Sequence, residues 1–253
     1  MKVAAWSGLE VVAPLAGGAR NPVTLARRGG ERLVVRRSGR SPAALDWELD
    51  LLEYLADHLA DRGISVPSLV PADDGRRYVD GVLVNRYVDG HPPCDDAEWG
   101  RVVEALTVIH ELTVGWPQRP GFASSRQLLV ADRGGDVRLD AMPPDGVCAV
   151  RAAWRPVLDG AEGTECVNHG DVGAGNILVD DQRVTLLDWD ESRVDVPWFD
   201  FAFLPESVAL PEGAPTDRQV LITAGVAWEA ATCWVPEPEY APRRLAELYA
   251  RLG

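Results

Sequence analysis

The sequence predicts an α+β fold in two lobes, and three observations predict it. Residues 9–37 break into short apolar runs between glycine pairs, residues 42–61 carry an amphipathic helical period, and the chain turns largely helical after the Val88-Asp89-Gly90-His91-Pro92-Pro93 break. The expectation is a first lobe at 1–90, holding five antiparallel strands and one helix, and a mainly helical second lobe at 91–253.

In the first lobe Leu9–Leu15, Val23–Arg27 and Arg32–Arg37 read as a meander, divided by Gly17-Gly18 and Gly29-Gly30. Ser41 then fits a helix N-cap, with Pro42 at the first helical position. At about 100° per residue, Leu45, Leu49, Leu52, Leu55 and Leu59 fall on one stripe of a helix reaching about Asp61. Glu48 lies inside that stripe, apart from Asp50, Glu53 and Asp57, so its carboxylate faces the interior. A buried carboxylate needs a cation, and Arg36, at strand spacing from Val34, is the candidate. Val66–Val70 and Val82–Tyr87 complete the five strands.

Past the break, Asp96–Leu112 places Trp99, Val102, Val103, Leu106 and Ile109 on one helical face, with His110 read as a core histidine. Further helices are expected at Val147–Leu158, Val220–Trp234 and Pro242–Leu252. Between them, Ile177–Val179 and Val184–Leu187 read as short strands of a hairpin turning at Asp180-Asp181.

Composition narrows the function. The four cysteines (94, 148, 166 and 233) form no C-x-x-C pair, and the histidines show no H-E-x-x-H spacing, which argues against structural zinc, a disulfide framework and a metalloprotease. The start lacks a signal-peptide core and no run approaches a membrane span, so the expected location is the cytoplasm. Of 25 basic and 39 acidic side chains, 12 of each lie in residues 1–90, so the net charge of −14 belongs to residues 91–253. Such a field repels nucleic acid and anionic lipid and favours a cationic partner.

The chemistry concentrates between Val167 and Ala202: His169-Gly170-Asp171, then Asn176, the hairpin, then Asp188-Trp189-Asp190, and later Asp200. A loop running into the strand at Ile177 aims Asp171 and Asn176 at one point, and the returning strand brings Asp188 back to it. Two carboxylates and one carboxamide form an oxygen donor set suited to magnesium bridging nucleotide phosphates.

The spacing His169-Gly170-Asp171-(x)4-Asn176, followed by Leu187-Asp188-Trp189-Asp190, resembles the signature of the aminoglycoside phosphotransferase and choline kinase family, relatives of the protein kinases. The resemblance implies a bilobal protein-kinase-like fold and transfer of the γ-phosphoryl group of ATP or GTP to a small-molecule hydroxyl, with Mg²⁺ required. It implies that Asp171 is the catalytic base, that Asn176 and Asp188 hold the metal, and that His169 scaffolds the catalytic loop through backbone groups. Arg36 and Glu48 resemble the nucleotide-lobe ion pair, Asn85, Arg86, Tyr87 and Val88 the adenine-binding hinge, and Gly18 part of a phosphate loop. Asp200 takes the place of an aspartate that braces the catalytic loop.

This sequence departs from the family where Arg36 replaces the phosphate-contacting lysine, with Arg37 beside it as the competing assignment. Asp195 and Val196 stand where the family has Gly-Asp before a proline. From the acidic balance, Asp190, Glu191, Asp195, Glu229, Glu237 and Glu239 are expected to border an amine-bearing acceptor, and the resemblance implies a compound such as those met in antibiotic resistance. The alternative is a nucleotide-binding module without phosphoryl transfer.

Overall fold

The computed structural model describes residues 3–15, 23–159, 165–214 and 217–253. The strands in chain order are β1 (Glu10–Pro14), β2 (Val23–Arg28), β3 (Glu31–Arg37), β4 (Ile64–Ser65), β5 (Val82–Arg86), β6 (Arg133–Gly134), β7 (Val137–Arg138), β8 (Cys166–Asn168), β9 (Ile177–Val179), β10 (Val184–Leu186) and β11 (Arg193–Asp195). The helices are α1 (Pro42–Leu59), α2 (Asp96–Leu112), α3 (Pro144–Asp159), α4 (Arg218–Thr232) and α5 (Ala241–Leu252). They form two compact units, one running to Pro93 and including Ala174–Asp190, the other made of Cys94–Gly173 and Glu191–Gly253.

The first unit is built on an antiparallel sheet in the order β1-β2-β3-β5. Gly29 and Gly30 make the two-residue turn between β2 and β3 with φ of 55° and 87°, the conformation that matches the twist of paired strands. Side chains alternate across β3. Leu33 and Val35 pack with Trp6, Val82 and Val84 on one face, whereas Arg36 lies opposite Leu83, which packs with Leu45 and Leu49 of α1 on the other. Ser41 caps α1 by accepting the Ala44 N–H at 3.3 Å.

Two expectations for this unit are corrected. Residues 66–70 are not a strand: the fifth position beside β5 is held by a single bridge, Leu69 to Asn85, flanked by Val70 N–H to Val84 O at 2.7 Å and Arg86 N–H to Ser68 O at 2.8 Å. Ile64–Ser65 forms the fourth strand instead, and it pairs parallel with β10 in a second sheet, β4-β10-β9. That pairing, with the bridge between His91 and Val179, is why Ala174–Asp190 groups with the first unit although it was expected in the second lobe. The Gly17-Gly18 step, and with it Gly18, lies outside the described residues.

In the second unit, α3, α4 and α5 pack around a core that includes Val150, Trp154, Leu221, Ala227, Trp228 and Leu248. Asp95 caps α2 by accepting the Glu98 N–H at 2.8 Å, and the α2 span agrees with expectation. Antiparallel β8 and β11 pair Asn168 with Arg193 and Cys166 with Asp195. Among the described residues no helix is long and apolar enough to cross a membrane.

Candidate active site

In the first unit the site grows from the β9–β10 hairpin. Its register sets Ile177 opposite Leu186, and the Leu187 N–H donates to Asn176 O at 2.7 Å, so Asn176 and Asp188 stand at the same open end. Asp188 has φ of 53°, in the left-handed region where an aspartate is among the few side chains tolerated. Trp189 follows with its ring buried and its indole N–H on Leu186 O at 2.9 Å, which pins the chain just past Asp188.

Arg36 reaches this corner from β3. Its guanidinium pairs with the fully buried Glu48 of α1, and its Nη1 lies 3.5 Å from Asp188 Oδ1 and 4.0 Å from Asp190 Oδ1. Burial by itself lowers the proton affinity of Arg36, but Glu48, then Asp188 and Asp190, outweigh it and raise its pKa above the ordinary arginine value. The charged form is thereby assured. Arg37 is exposed, as strand alternation requires when Arg36 points inward. Asp190 is held by Arg40, with Nε at 3.0 Å and Nη2 at 2.7 Å from Oδ2, and faces the Ser38 hydroxyl at 3.4 Å.

At the β5 exit, the Arg86 N–H is taken by Ser68 O and the Tyr87 N–H by Arg32 O at 3.1 Å. Arg32 also stacks over the Tyr87 ring at 4.4 Å. Among the described residues the Val88 N–H takes no part in such bonds. Asn85 and Val88 are half-buried, and Arg86 is exposed with its guanidinium on Glu31.

In the second unit a loop leaves β8 through His169, Gly170 and Asp171, and one carboxylate organises it. Asp200 Oδ2 accepts the His169 N–H at 2.8 Å and the His110 Nε2–H at 2.9 Å, while Oδ1 accepts the Gly170 N–H at 2.9 Å. Burial works against the charge of Asp200, yet these donors, His110 foremost, hold its carboxyl below 3.8. The His169 ring is fully buried and its Nδ1 accepts the Asp171 N–H at 3.3 Å, so it shapes the loop and has no access to solvent. Gly170 has φ of 87°, and a Cβ there would lie 2.6 Å from Glu191 O. Asp171 itself is exposed at the tip.

The structure reassigns three of the acids expected to face an acceptor. Asp190 is 8% exposed and clasped by Arg40. Asp195 is fully buried, its Oδ1 taken by the Ser125 hydroxyl at 2.6 Å and its Oδ2 by the Ser125 N–H at 2.9 Å and Arg193 Nε at 3.0 Å. Glu229 pairs with Arg244 Nε at 2.5 Å and accepts the Tyr240 hydroxyl at 2.6 Å. In each case an internal donor already neutralises the charge, which removes it as a free anionic contact. Glu191 and Glu237 are half-buried, and Glu239 is exposed.

Sequence reasoning missed Arg40, Ser38 and Ser125. Their partners lie 150, 152 and 70 residues away, so no local spacing announces them.

The fold belongs to a recognisable class, that of the protein-kinase-like phosphotransferases. The structure superposes on a microcompartment-associated aminopropanol kinase with a TM-score of 0.69 at 18% identity, covering 98% of this chain and 92% of that one. It is similar to the choline kinase LicA from Streptococcus pneumoniae, with a TM-score of 0.67, 17% identity and coverage of 96% and 94%. A thermostable aminoglycoside phosphotransferase APH(4)-Ia in ternary complex with ADP and hygromycin B gives 0.63 and 14%, covering 96% and 93%. At these identities the likeness shows the shared protein-kinase-like fold. No curated protein matches by sequence. A sequence model of the phosphotransferase enzyme family, however, matches residues 11–234, and the chain belongs to that family.

Proposed function

We propose that the protein transfers the γ-phosphoryl group of ATP or GTP to a hydroxyl of a small, amine-bearing molecule in the cytoplasm. The observation that carries this reading is the hairpin end, where Asn176 and Asp188 emerge side by side with the Arg36 guanidinium 3.5 Å from Asp188. A carboxylate and a carboxamide beside a buried cation suit a magnesium-bound polyphosphate. The donor set fits that ion because Asp188 keeps a third of its side chain exposed.

When bound, Mg²⁺ would neutralise charge on the phosphates and orient them for in-line displacement. Asn176 and Asp188 would hold it, and Arg36, anchored by Glu48, would contact phosphate oxygens through its fork. The Val88 N–H and neighbouring carbonyls of Asn85–Val88 would receive the base. Asp171 would orient the acceptor hydroxyl and accept its proton, held on a loop that Asp200 ties down through two backbone N–H groups. The acceptor's amine finds its warrant in the acidity of residues 91–253, with Glu191, Glu237 and Glu239 as the remaining acidic candidates. An aminoglycoside-like compound is the leading acceptor class.

The test is a mass-spectrometric screen of hydroxyl-bearing amines with Mg·ATP and Mg·GTP, read as gain of one phosphoryl group. Nucleotide binding without transfer to any acceptor would favour a binding module instead.

A further inference from the structure

We propose that Arg40 is a positioning residue of this site: by clasping Asp190 it keeps that carboxylate away from the metal and leaves Asp188 to meet the cation. The inference rests on the phosphotransferase reading above and goes beyond it in assigning unlike duties to two acids of one short motif.

Asp188 and Asp190 leave the same hairpin two residues apart, and both lie within 4.0 Å of Arg36 Nη1. Either could turn toward a divalent cation. They differ in what holds them. Asp190 Oδ2 receives Arg40 Nε at 3.0 Å and Nη2 at 2.7 Å, and its side chain is 11% exposed against 33% for Asp188. A carboxylate gripped by a guanidinium in such surroundings must shed those bonds before it can bind a metal.

Arg40 is itself held in place. Its N–H donates to the Ser38 hydroxyl at 3.2 Å, and the Ser38 N–H donates to Gly81 O at 2.8 Å. Gly81 has φ of 74°, and a Cβ there would meet Ser38 O at 2.6 Å, so the turn after β3 closes tightly on the start of β5. The next residue, Ser41, caps α1. The guanidinium therefore projects from a braced corner rather than from a loose loop. Without it, Asp190 is left as a second buried carboxylate beside Asp188, and a divalent cation is the simplest way to offset the added charge. A metal drawn between the two acids is bound more tightly to protein and worse placed for phosphates.

The experiment titrates the full-length protein with Mn²⁺ alone, followed by electron paramagnetic resonance, and with Mg·ADP, followed by calorimetry. Wild type is compared with Arg40→Gln, Asp190→Asn and the double variant, with melting temperatures recorded for each. Arg40→Gln should tighten nucleotide-free Mn²⁺ binding by about fivefold or more and weaken Mg·ADP comparably, and the double variant should return both toward wild type. Asp190→Asn alone should leave Mn²⁺ affinity unchanged.

Unmoved Mn²⁺ binding in a folded Arg40→Gln, or a double variant that keeps its defect, overturns the proposal. Should Arg40→Gln fail to fold, Asp190→Asn decides, because loss of Mn²⁺ binding there makes Asp190 a ligand in its own right. Normal Mg·ADP binding by wild type with no effect of Arg40→Gln sinks this inference alone. A wild-type protein that binds neither Mn²⁺ nor Mg·ADP sinks the phosphotransferase reading as well.

Discussion

Around Asp188 the first unit gathers ion pairs, whereas around Asp171 the second unit gathers hydrogen bonds to backbone. Arg36 is shared among the carboxylates of Glu48, Asp188 and Asp190. Asp200 instead spends its oxygens on the N–H groups of His169 and Gly170 and on His110, so the loop beneath Asp171 is held by geometry. The difference suits two tasks. Under the proposed function, a corner of paired charges would exchange partners when metal and phosphate arrive, while the proposed base would be presented at a constant angle.

The sharpest way to break this comparison is to remove the acid at each centre. Asp171→Ala should lower kcat by about 10²- to 10⁴-fold with Mg·ATP affinity intact, since the proposed base meets only the acceptor. Asp188→Ala should abolish Mg²⁺-dependent nucleotide binding itself. Calorimetry on both variants checks the split, and equal losses of affinity would erase the proposed division of labour.

Next in size is the brace. Asp200→Ala strands His110 and two backbone donors and should destabilise the protein by about 3–5 kcal/mol in denaturant titrations. The pH sign follows from its depressed pKa: the carboxylate's contribution is complete above the ordinary 3.8 and is lost as pH falls through the folded-state value. Asp200→Asn should therefore be less stable at pH 7 and show a shallower acid limb. A wild-type stability that stays flat down to that range would contradict the charged state assigned to Asp200.

The Arg36–Glu48 pair calls for a double-mutant cycle. Each alanine substitution should lower stability and nucleotide affinity, and the double variant should lose less than their sum by about 0.5–3 kcal/mol. Arg37→Ala, at an exposed position, should stay within about 0.5 kcal/mol of wild type. Coupling through Arg37 instead would place β3 one residue out of register. The smallest effect expected is that of salt. For a cationic acceptor kcat/KM should fall as ionic strength rises while kcat holds steady, and a flat profile would reduce the acidity of residues 91–253 to a solubility feature.

What the sequence by itself determined is the part encoded over short distances. Ser41-Pro42 and the leucine period announce α1 within two residues of its end, the Gly29-Gly30 pair announces the β2–β3 turn, and the helical phase of Glu48 announces a buried carboxylate facing Arg36. The spacing of His169, Gly170, Asp171, Asn176 and Asp188 carries the resemblance on which the proposed chemistry rests. Tertiary structure alone decided which of the acids are taken up by internal donors. Asp190, Asp195 and Glu229 look as available in the sequence as Asp188, but Arg40 and Arg244 pair with Asp190 and Glu229, and Asp195 is taken by Arg193 and by the Ser125 hydroxyl and N–H. It also reduced the expected strand at 66–70 to one bridge and sent Ile64–Ser65 to pair with β10 across 120 residues. Periodicity reports which face of an element is apolar, whereas the partner that satisfies a buried charge or a strand edge is chosen by packing, and packing leaves no local spacing to read.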